Sequence, residues 1–576
     1  MNTYSSKKHL IGMGTFFVFA LTAAIGTFGL NQQSSLSTNT RAAAISGTTY
    51  YVDCQTGNDS NSGTSDSTAW KNMTKANTAN LQPGDGILFK KNCSWIGPLK
   101  ARWNGTVDAP ITISAYGEGS LPLIYNSTTA NNVEITGTHQ VLEYLETKRT
   151  NAPTDPACEN QTYGFYTGFN FMGSSYNTIQ YSKASLQTAG IHFNRNPNHH
   201  NKVLHNEITN NNVMQVLTAQ APPQSEDIGA WGINLKGDDN EIAYNYLKDN
   251  NAWCSYDLVG FDHGNTIELF IAKRNLIHHN IAINDRVFSE IGGDQTDPTK
   301  KSEDNIFAYN LHVAPTVRSR FIVNHGNTSA FGPARGTKAY NNTVYLTGPQ
   351  SQAIICNTGC AEDLLELKNN IVWSEMHAIQ ANGPINEGFN LYWATNGNPQ
   401  ISGITIAATS RIADPRFLDI AQSSFELLAD SPAIDQGTTG LYDYDLDYRA
   451  VPQGLATEMG AYEYVPEPTI APTDIPAPSE TPVPTETMTP IPTETPIPTP
   501  TTTVRNLKVF AAGTVSDGVY PTMDIFIRGA FAQRIYNIDA NATLGQFETY
   551  EVPYIGAITA SEVQIRYIND GNSNTG

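Results

Sequence analysis

The segment "NTIELFIAKRNLIHHNIAINDRVFSEIGG", residues 265–293, contains two kinds of short phrase that recur through the chain. Within it these phrases are TIEL (266–269), HNIA (279–282) and FSEI (288–291). Apolar residues that alternate with a period of two predict β-strands, so Ile267 and Leu269 point inward and Glu268 points outward. The segment therefore predicts short strands that are repeated along the chain.

The same two phrases recur over most of the chain at irregular intervals of 20 to 40 residues. One phrase begins with an asparagine, and the asparagines are Asn206, Asn245, Asn280, Asn310, Asn342, Asn370 and Asn390. The other includes GIHF (190–193) and GINL (232–235) besides TIEL and FSEI. This pattern predicts a solenoid of short strands with outer loops of variable length, whereas helical repeats would need a period near 3.6. We expect the asparagines to occupy turns and to stack as an internal ladder.

Composition and charge narrow the class of protein. The 576 residues include 34 Lys and Arg against 54 Asp and Glu, for a formal charge of −20. This balance argues against nucleic acid as a partner, and it disfavours acidic polysaccharides unless calcium or a local basic cluster bridges them. The chain is rich in aromatic and small polar residues, which is typical of extracellular β-proteins.

The N-terminus indicates export from the cytoplasm. Lys7 and Lys8 precede an apolar run over 10–30, and Ala42, Ala43 and Ala44 offer a small-residue cleavage site. We therefore predict a signal peptide over 1–44 and a secreted protein, with an uncleaved N-terminal membrane anchor as the alternative. Six cysteines fit an oxidising compartment, and Cys54 and Cys93 are a candidate pair.

A Pro/Thr-rich segment divides the remaining chain. Residues 465–503 contain no Lys or Arg and cannot form a core, so they predict an extended linker. The predicted domains are thus a solenoid over 45–464 and a second module over 504–576. We expect the protein to be a monomer.

Both ends of the predicted solenoid carry family motifs. The opening "YYVDCQTGNDSNSGT…LQPGDGILF" and the closing "DPRFLDIAQSSFELLADSPAIDQG…GAYEY" resemble the right-handed parallel β-helix, or pectate-lyase-like, superfamily. The resemblance covers roughly residues 48–465 and implies an all-β fold, a right-handed parallel β-helix solenoid. It does not choose an activity, because hydrolases, lyases and non-enzymatic surface proteins share this fold.

The C-terminal module carries a second resemblance. The phrases "GTVSDGVYPTMDIFIRG" (513–529) and "VQIRYINDGN" (563–572) resemble calcium-dependent xylan-binding carbohydrate modules. The resemblance implies a small β-sandwich that holds calcium, with Asn569 and Asp570 at the calcium site. The family continues with a further phrase and strand after this point, so we expect the calcium site of 504–576 to be incomplete.

Glu268 and Glu290 are the candidate catalytic pair, because they occupy equivalent phrases 22 positions apart. If the phrases stack, they form an outward column of His192, Asn234, Glu268 and Glu290. On the strand of Asn234 the next outward residue is Lys236. Two carboxylates on adjacent strands raise the pKa of one of them, which suits an acid–base pair. The same pair could instead hold calcium in a lyase.

Polar and aromatic residues nearby extend this candidate site. We expect Asp262 or His263 to approach from the preceding loop and Arg318 or Arg320 from the following coil, and Trp231 to stack on a sugar ring. Asp262 and Arg320 are candidate catalytic residues, and Asn234, Lys236, His263 and Trp231 are candidate substrate-binding residues.

Three functions from different classes remain open from the sequence. The carboxylate pair and the xylan-type module favour a hydrolase of plant cell-wall polysaccharide. The superfamily and the local basic residues favour a calcium-dependent polysaccharide lyase. The fold also permits a non-catalytic carbohydrate-binding surface protein.

Overall fold

The structure is a computed structural model that describes residues 45–126, 131–150, 161–162, 165–194, 197–217, 228–252 and 264–465. Beyond residue 465 it describes only five strands, whose bounds are given below. The predicted signal peptide over 1–44 and all but the first residue of the predicted linker lie outside the described residues.

Three long parallel sheets make up the body of the protein, and successive strands pass from one sheet to the next. One full coil, for example, runs through Tyr246–Lys248, Asn265–Lys273 and Leu276–His278, which belong to three different sheets. Each strand then pairs in parallel with its equivalent on the next coil. The predicted β-helix solenoid is confirmed.

Sheet A has twelve strands. In order they are Thr49–Val52, Gly86–Lys90, Ile111–Tyr116, Gln140–Glu143, Thr178–Gln180, Lys202–Leu204, Glu241–Ala243, Leu276–His278, Ile306–Ala308, Thr337–Tyr340, Leu365–Lys368 and Asn386–Gly388. Sheet B also has twelve strands, Ser94–Ile96, Leu123–Asn126, Glu146–Arg149, Lys183–Ser185, Glu207–Thr209, Tyr246–Lys248, Ile281–Ile283, Leu311–Val313, Thr343–Leu346, Ile371–Ser374, Leu391–Trp393 and Arg411–Ile412.

Sheet C has eleven strands and carries the candidate site. Its strands are Leu99–Ala101, Val133–Ile135, Thr167–Met172, Ala189–Asn194, Trp231–Asp238, Asn265–Lys273, Val287–Gly292, Arg320–His325, Gln352–Asn357, His377–Ala381 and Gln400–Ser402. Inward residues of sheet C form apolar columns, such as Ile191, Ile233 and Ile267, which are all fully buried. Each such side chain contributes about 1.5–3 kcal/mol by leaving water.

Smaller elements flank the coils. The helix Met73–Thr78 and the 3₁₀ turn Asp66–Thr68 lie at the N-terminal end, where buried Met73 and Ala76 pack into the core. A second 3₁₀ turn, Ile420–Gln422, follows the last coil. The remaining strands of the body are Gln161–Thr162, Met214–Leu217, Ile228–Gly229, Phe417–Asp419 and Ser424–Leu427.

The asparagine phrase forms a continuous buried ladder, as predicted. Each side-chain amide donates to the side-chain oxygen of the next asparagine at 2.9–3.0 Å, through Asn206, Asn245, Asn280, Asn310, Asn342, Asn370 and Asn390. Two further ladders run through Asn177, Asn201, Asn240, Asn275 and Asn305, and through Asn211, Asn250 and Asp285.

The ladder also stabilises an otherwise unfavourable backbone at every turn. The residue before each asparagine of the main ladder has a positive φ of 52–59°, and these residues are His205, Tyr244, His279, Tyr309, Asn341, Asn369 and Phe389. A non-glycine residue in this region costs roughly 1 kcal/mol or more. The buried amide bonds that follow offset this cost, so the turn is specified by the asparagine.

Two disulfides join described cysteines. Cys54 pairs with Cys93, as the sequence suggested, and Cys356 pairs with Cys360. Cys158 and Cys254 lie outside the described residues.

The C-terminal module contains antiparallel strands where it is described. Val504–Ala511 pairs with Glu548–Ile555, and Met523–Ile527 pairs with both Ala530–Ile535 and Val563–Tyr567. The predicted calcium ligands Asn569 and Asp570 lie outside the described residues. Among the described residues, no helix has the length and apolar character needed to span a bilayer.

Candidate active site

Sheet C brings Glu268 and Glu290 to equivalent positions on adjacent strands. Ile267 and Leu269 are fully buried in the core, so Glu268 between them faces outward. The register pairs Leu269 with Ile291 and Asn265 with Val287, which sets Glu290 opposite Glu268. The interval of 22 residues is thus one turn of the β-helix.

The two glutamates belong to an outward column that crosses the whole sheet. Its members, from the N-terminal end, are Lys100, Glu134, Asn170, His192, Asn234, Glu268, Glu290, Val323, Ile355, Gln380 and Ser402. The column is polar as far as Glu290 and is then apolar at two positions, Val323 and Ile355, which cluster with Val287, before it becomes polar again at Gln380 and Ser402. The carboxylate pair therefore lies where a polar surface meets an apolar one.

Glu268 lies in an environment that favours its protonated form. Burial is the largest effect and the neighbouring charge of Glu290 the second, and together they raise the pKa of Glu268 to about 7. Side-chain hydrogen bonds from Asn265 and Trp231 and the charge of Lys236 oppose this rise. Glu268 therefore exchanges its proton near neutral pH.

Glu290 has a different partner, the imidazole of His325. Nε2 of His325 lies 2.8 Å from Oε1 of Glu290, and Nδ1 lies 2.9 Å from the hydroxyl oxygen of Ser329. An ionised carboxylate can only accept, so Nε2 carries the proton that faces Glu290. In the neutral ring Nδ1 then accepts the hydroxyl proton of Ser329, which fixes the tautomer.

Gly292 makes room for this contact. The register pairs Ile291 with Asn324, so Gly292 stands opposite His325 on the neighbouring strand. A Cβ atom at Gly292 would lie 3.4 Å from Cδ2 of His325 and 3.3 Å from Cβ of Phe331. A side chain at this position would therefore pack closely against the imidazole and against Phe331, so the small residue leaves space around His325.

The structure places the other predicted residues as follows. Asn234 lies opposite Glu268, and Nζ of Lys236 lies 5.7 Å from the ring centroid of Phe270. Arg320 begins the strand after Glu290 and stands opposite Val287. Asp262 and His263 lie outside the described residues.

Trp231 differs from the sequence expectation. Its side chain is only 7% exposed, which leaves little ring face for stacking on a sugar. It instead lies near Glu268, where it lowers the pKa of that carboxyl group against the larger effect of burial. The reason is its position opposite Asn265 at the start of the strand, where it packs near Phe165.

His325 and Ser329 are the residues that sequence reasoning missed. The signal was present in "RFIVNH", 320–325, an alternating phrase like those of the preceding strands. Aligning it with FSEI would have placed His325 at the outward position next to the glutamate column. The varying loop lengths between phrases hid this alignment.

Close groups of acidic, histidine and cysteine side chains are possible metal ligands. One group of three occurs among the described residues, Asp53, Cys54 and Cys93, but those two sulfurs form a disulfide. Glu268 and Glu290 are not part of such a group in the described coils, so they would need further oxygen ligands to reach the six to eight that calcium takes.

Comparison with known proteins gives limited likenesses. No protein-family model matches the chain. A lacto-N-biosidase from Bifidobacterium longum subsp. longum is 38% identical over 103 residues, which are 17% of this chain and 6% of that protein. The chain thus spans a small part of the length of this relative.

Two solved structures are similar at low identity. The GH136 lacto-N-biosidase from Eubacterium ramulus is 15% identical with a TM-score of 0.42, covering 60% of this chain and 64% of that chain. An alginate lyase from Paenibacillus sp. str. FPU-7 is 14% identical with a TM-score of 0.35, covering 56% of this chain and 92% of that chain.

Proposed function

We propose that the β-helix domain is a secreted glycoside hydrolase that cleaves plant cell-wall polysaccharide. The observation that carries this proposal is the pair Glu268 and Glu290, two neighbouring carboxyl groups in opposite environments. One is held near its protonated form by burial, and the other is hydrogen-bonded to an imidazole. Environments that separate two carboxyl pKa values assign the acid and the base of a glycosidase.

In this mechanism Glu268 is the general acid. It protonates the glycosidic oxygen as the bond to the anomeric carbon breaks, a contribution of about 10²- to 10⁴-fold in rate. The side-chain amide of Asn265 donates to its carboxyl group and fixes its orientation. The ionised Glu268 then takes a proton from the water that completes the reaction.

Glu290 is the nucleophile. The backbones of adjacent strands are ~4.8 Å apart, which permits the two glutamates to reach the ~5–5.5 Å carboxyl separation of retaining glycosidases. His325 donates to Glu290 and orients its carboxylate for attack on the anomeric carbon. The proposed hydrolase therefore retains the anomeric configuration.

The test is a glycan panel with two readouts. Xylan, other plant cell-wall polysaccharides, pectate, alginate and an oligosaccharide ending in lacto-N-biose would be incubated with the full chain, with and without chelator. New reducing ends without unsaturated-uronate absorbance support the hydrolase. Absorbance from an unsaturated uronate product would contradict it. So would glycan binding that yields neither new reducing ends nor this absorbance.

A calcium-dependent polysaccharide lyase is the second candidate. Arg320 on the strand after Glu290 and Lys236 on the strand before Glu268 put cations on both sides of the pair. Such cations could neutralise a uronate, and a chelator-sensitive absorbance signal would favour this reading. Binding of glycan without turnover would favour the third reading, a non-catalytic surface protein.

We further propose that 504–576 belongs to a xylan-binding module, with Asn569 and Asp570 among its calcium ligands. This proposal depends on the sequence resemblance of the module. Xylan pull-downs of the full chain with calcium or chelator test it, compared with the double variant Asn569→Ala and Asp570→Ala. Equal retention of both proteins would contradict it.

A further inference from the structure

The polar half of the outward column continues away from the carboxylate pair as a row of buried amide and imidazole groups. On the three strands before Glu268 the column residues are Asn170, His192 and Asn234, with side chains only 2%, 6% and 2% exposed. They face outward, because their neighbours Phe171, Phe193 and Leu235 are fully buried in the core.

Three polar atoms in this row are buried and have no hydrogen-bond partner. They are Oδ1 of Asn170, Nδ1 of His192 and Oδ1 of Asn234. Leaving a buried polar group unsatisfied costs about 1–3 kcal/mol each, so such groups call for an explanation. Here all three lie on successive strands and face the same side of the sheet.

The unpartnered oxygen of Asn170 is held in place. Its Nδ2 donates to Oδ1 of Asn131 at 2.8 Å, and Nδ2 of Asn131 donates to Glu134 at 3.1 Å. The hydroxyl of Thr167 also donates to Asn131 at 2.6 Å. This chain fixes the amide so that Oδ1 remains the free acceptor.

An aromatic side chain lies against the same row. The ring of Phe165 is partly exposed and packs edge-on against His192, with ring centroids 5.0 Å apart, and lies 6.1 Å from the ring of Trp231. An aromatic face beside a few oriented polar groups is the usual make-up of a small-molecule site.

We propose that Asn170, His192 and Asn234 form a subsite for a neutral sugar residue of the glycan, on the N-terminal side of Glu268 and Glu290. Sugar hydroxyls satisfy Oδ1 of Asn170 and Nδ1 of His192, and Phe165 moves to pack on the sugar ring. This subsite rests on the proposed hydrolase function. A sugar bound there would place the glycosidic bond to be cleaved beside Glu268 and Glu290.

Charge selects a neutral sugar. Glu134 stands opposite Asn170 and Glu268 opposite Asn234, so carboxylates bracket the row on both sides. Lys236 is the one cationic side chain on the three strands that carry the row. Counted over the neighbouring strands as well, the carboxyl groups of the column are Glu134, Glu268 and Glu290, and the cations in it or next to it are Lys100 and Lys236. Above the pKa of Glu268 a uronate in this subsite would therefore meet a net negative charge, whereas a hexose or pentose meets no such repulsion.

Binding to an inactive protein tests the subsite separately from catalysis. Isothermal titration calorimetry would use the full chain with Glu290→Gln, and as probes xylohexaose, cellohexaose, an oligosaccharide ending in lacto-N-biose, and hexagalacturonate. We expect at least one neutral probe to bind. Asn170→Ala and His192→Ala, each added to that background, should weaken it at least tenfold.

The matched control is Gln380→Ala, an outward residue of the same column on the far side of the pair. It should change affinity less than twofold.

If His192→Ala does not fold, as judged by its melting temperature, His192→Gln replaces it and should also weaken binding. Failure of all neutral probes to bind, binding of hexagalacturonate alone, or unchanged affinity in the variants would overturn the subsite. Neutral-probe binding that depends on Asn170 and His192, together with an inactive wild-type protein, would uphold the subsite and reject the hydrolase.

Discussion

Nε2 of His325 lies 2.8 Å from Oε1 of Glu290. Glu268 occupies the equivalent position on the strand before that of Glu290, and its pKa is raised to about 7. An imidazole on one carboxylate and burial of the other make two equivalent glutamates chemically unequal. Most of the predictions about activity follow from this difference.

Removing either carboxylate should stop turnover without unfolding the protein. We expect Glu268→Gln and Glu290→Gln each to lower kcat by about 10²- to 10⁴-fold, because each loses a group that acts in the transition state. Glu207→Gln is the matched control, since Glu207 is a partly exposed strand glutamate of sheet B paired with Lys183. An active Glu290→Gln protein would rule out the nucleophile assignment.

The pH profile of kcat should fall on its alkaline side at about pH 7. Glu268 must carry a proton to act as the acid, and its pKa is raised to about 7 mainly by burial. Activity should therefore be full below this value and decline above it. An alkaline limb that stays unchanged in Glu268→Gln, measured on a substrate with a good leaving group, would show that another group sets it.

His325→Ala should lower kcat by roughly 10- to 100-fold, which corresponds to about 1.5–3 kcal/mol for a hydrogen bond to a charged group. It should also move the acid limb of the pH profile upward, because Glu290 loses the donor that favours its ionised form. His325→Asn keeps a donor and should recover part of the activity. A lower kcat with an unmoved acid limb would indicate a structural role only.

Asp285→Asn should stabilise the fold at neutral and alkaline pH. Asp285 is fully buried at the end of an asparagine ladder, and burial raises its pKa to about 7 from an ordinary value of 3.8. The native state holds this proton more tightly than the unfolded state, so stability falls as pH rises from about 4 to about 7.

In Asp285→Asn the new side chain does not ionise, so this loss of folding stability, at most about 4 kcal/mol, is absent. That side chain still accepts from the backbone N–H of Asn250, which now donates at 2.7 Å. Melting temperatures of both proteins at pH 4 and pH 8 should differ mainly at pH 8. An equal difference at both values would contradict the titration argument.

Asn280→Ala should destabilise the β-helix by about 3 kcal/mol or more. Its side chain accepts from Asn245 and donates to Asn310 and to the carbonyl oxygen of Ile242, all of them buried. Removing it leaves several buried groups unsatisfied. Chemical denaturation should show the loss, and the exposed Asn396→Ala should show almost none.

Much of the fold could be predicted from the sequence alone. The alternating phrases and the regular asparagines carry it, because strand alternation and amide stacking are local chemistry that repeats on every coil. The same regularity related Glu268 to Glu290 and put Asn234 in their column. One turn of the β-helix separates these glutamates, so counting along the repeat was enough.

Only the tertiary structure revealed the contact between His325 and Glu290. The two residues are 35 positions apart on paired strands, and Ser329, which lies in the loop after the second strand, contacts the imidazole of His325. The burial of Trp231 and the unpartnered oxygen of Asn170 likewise depend on which side chains pack over the sheet. The repeat in the sequence determines which residues share a column, whereas burial and hydrogen-bond partners come from loops of unequal length, which only the folded chain brings together.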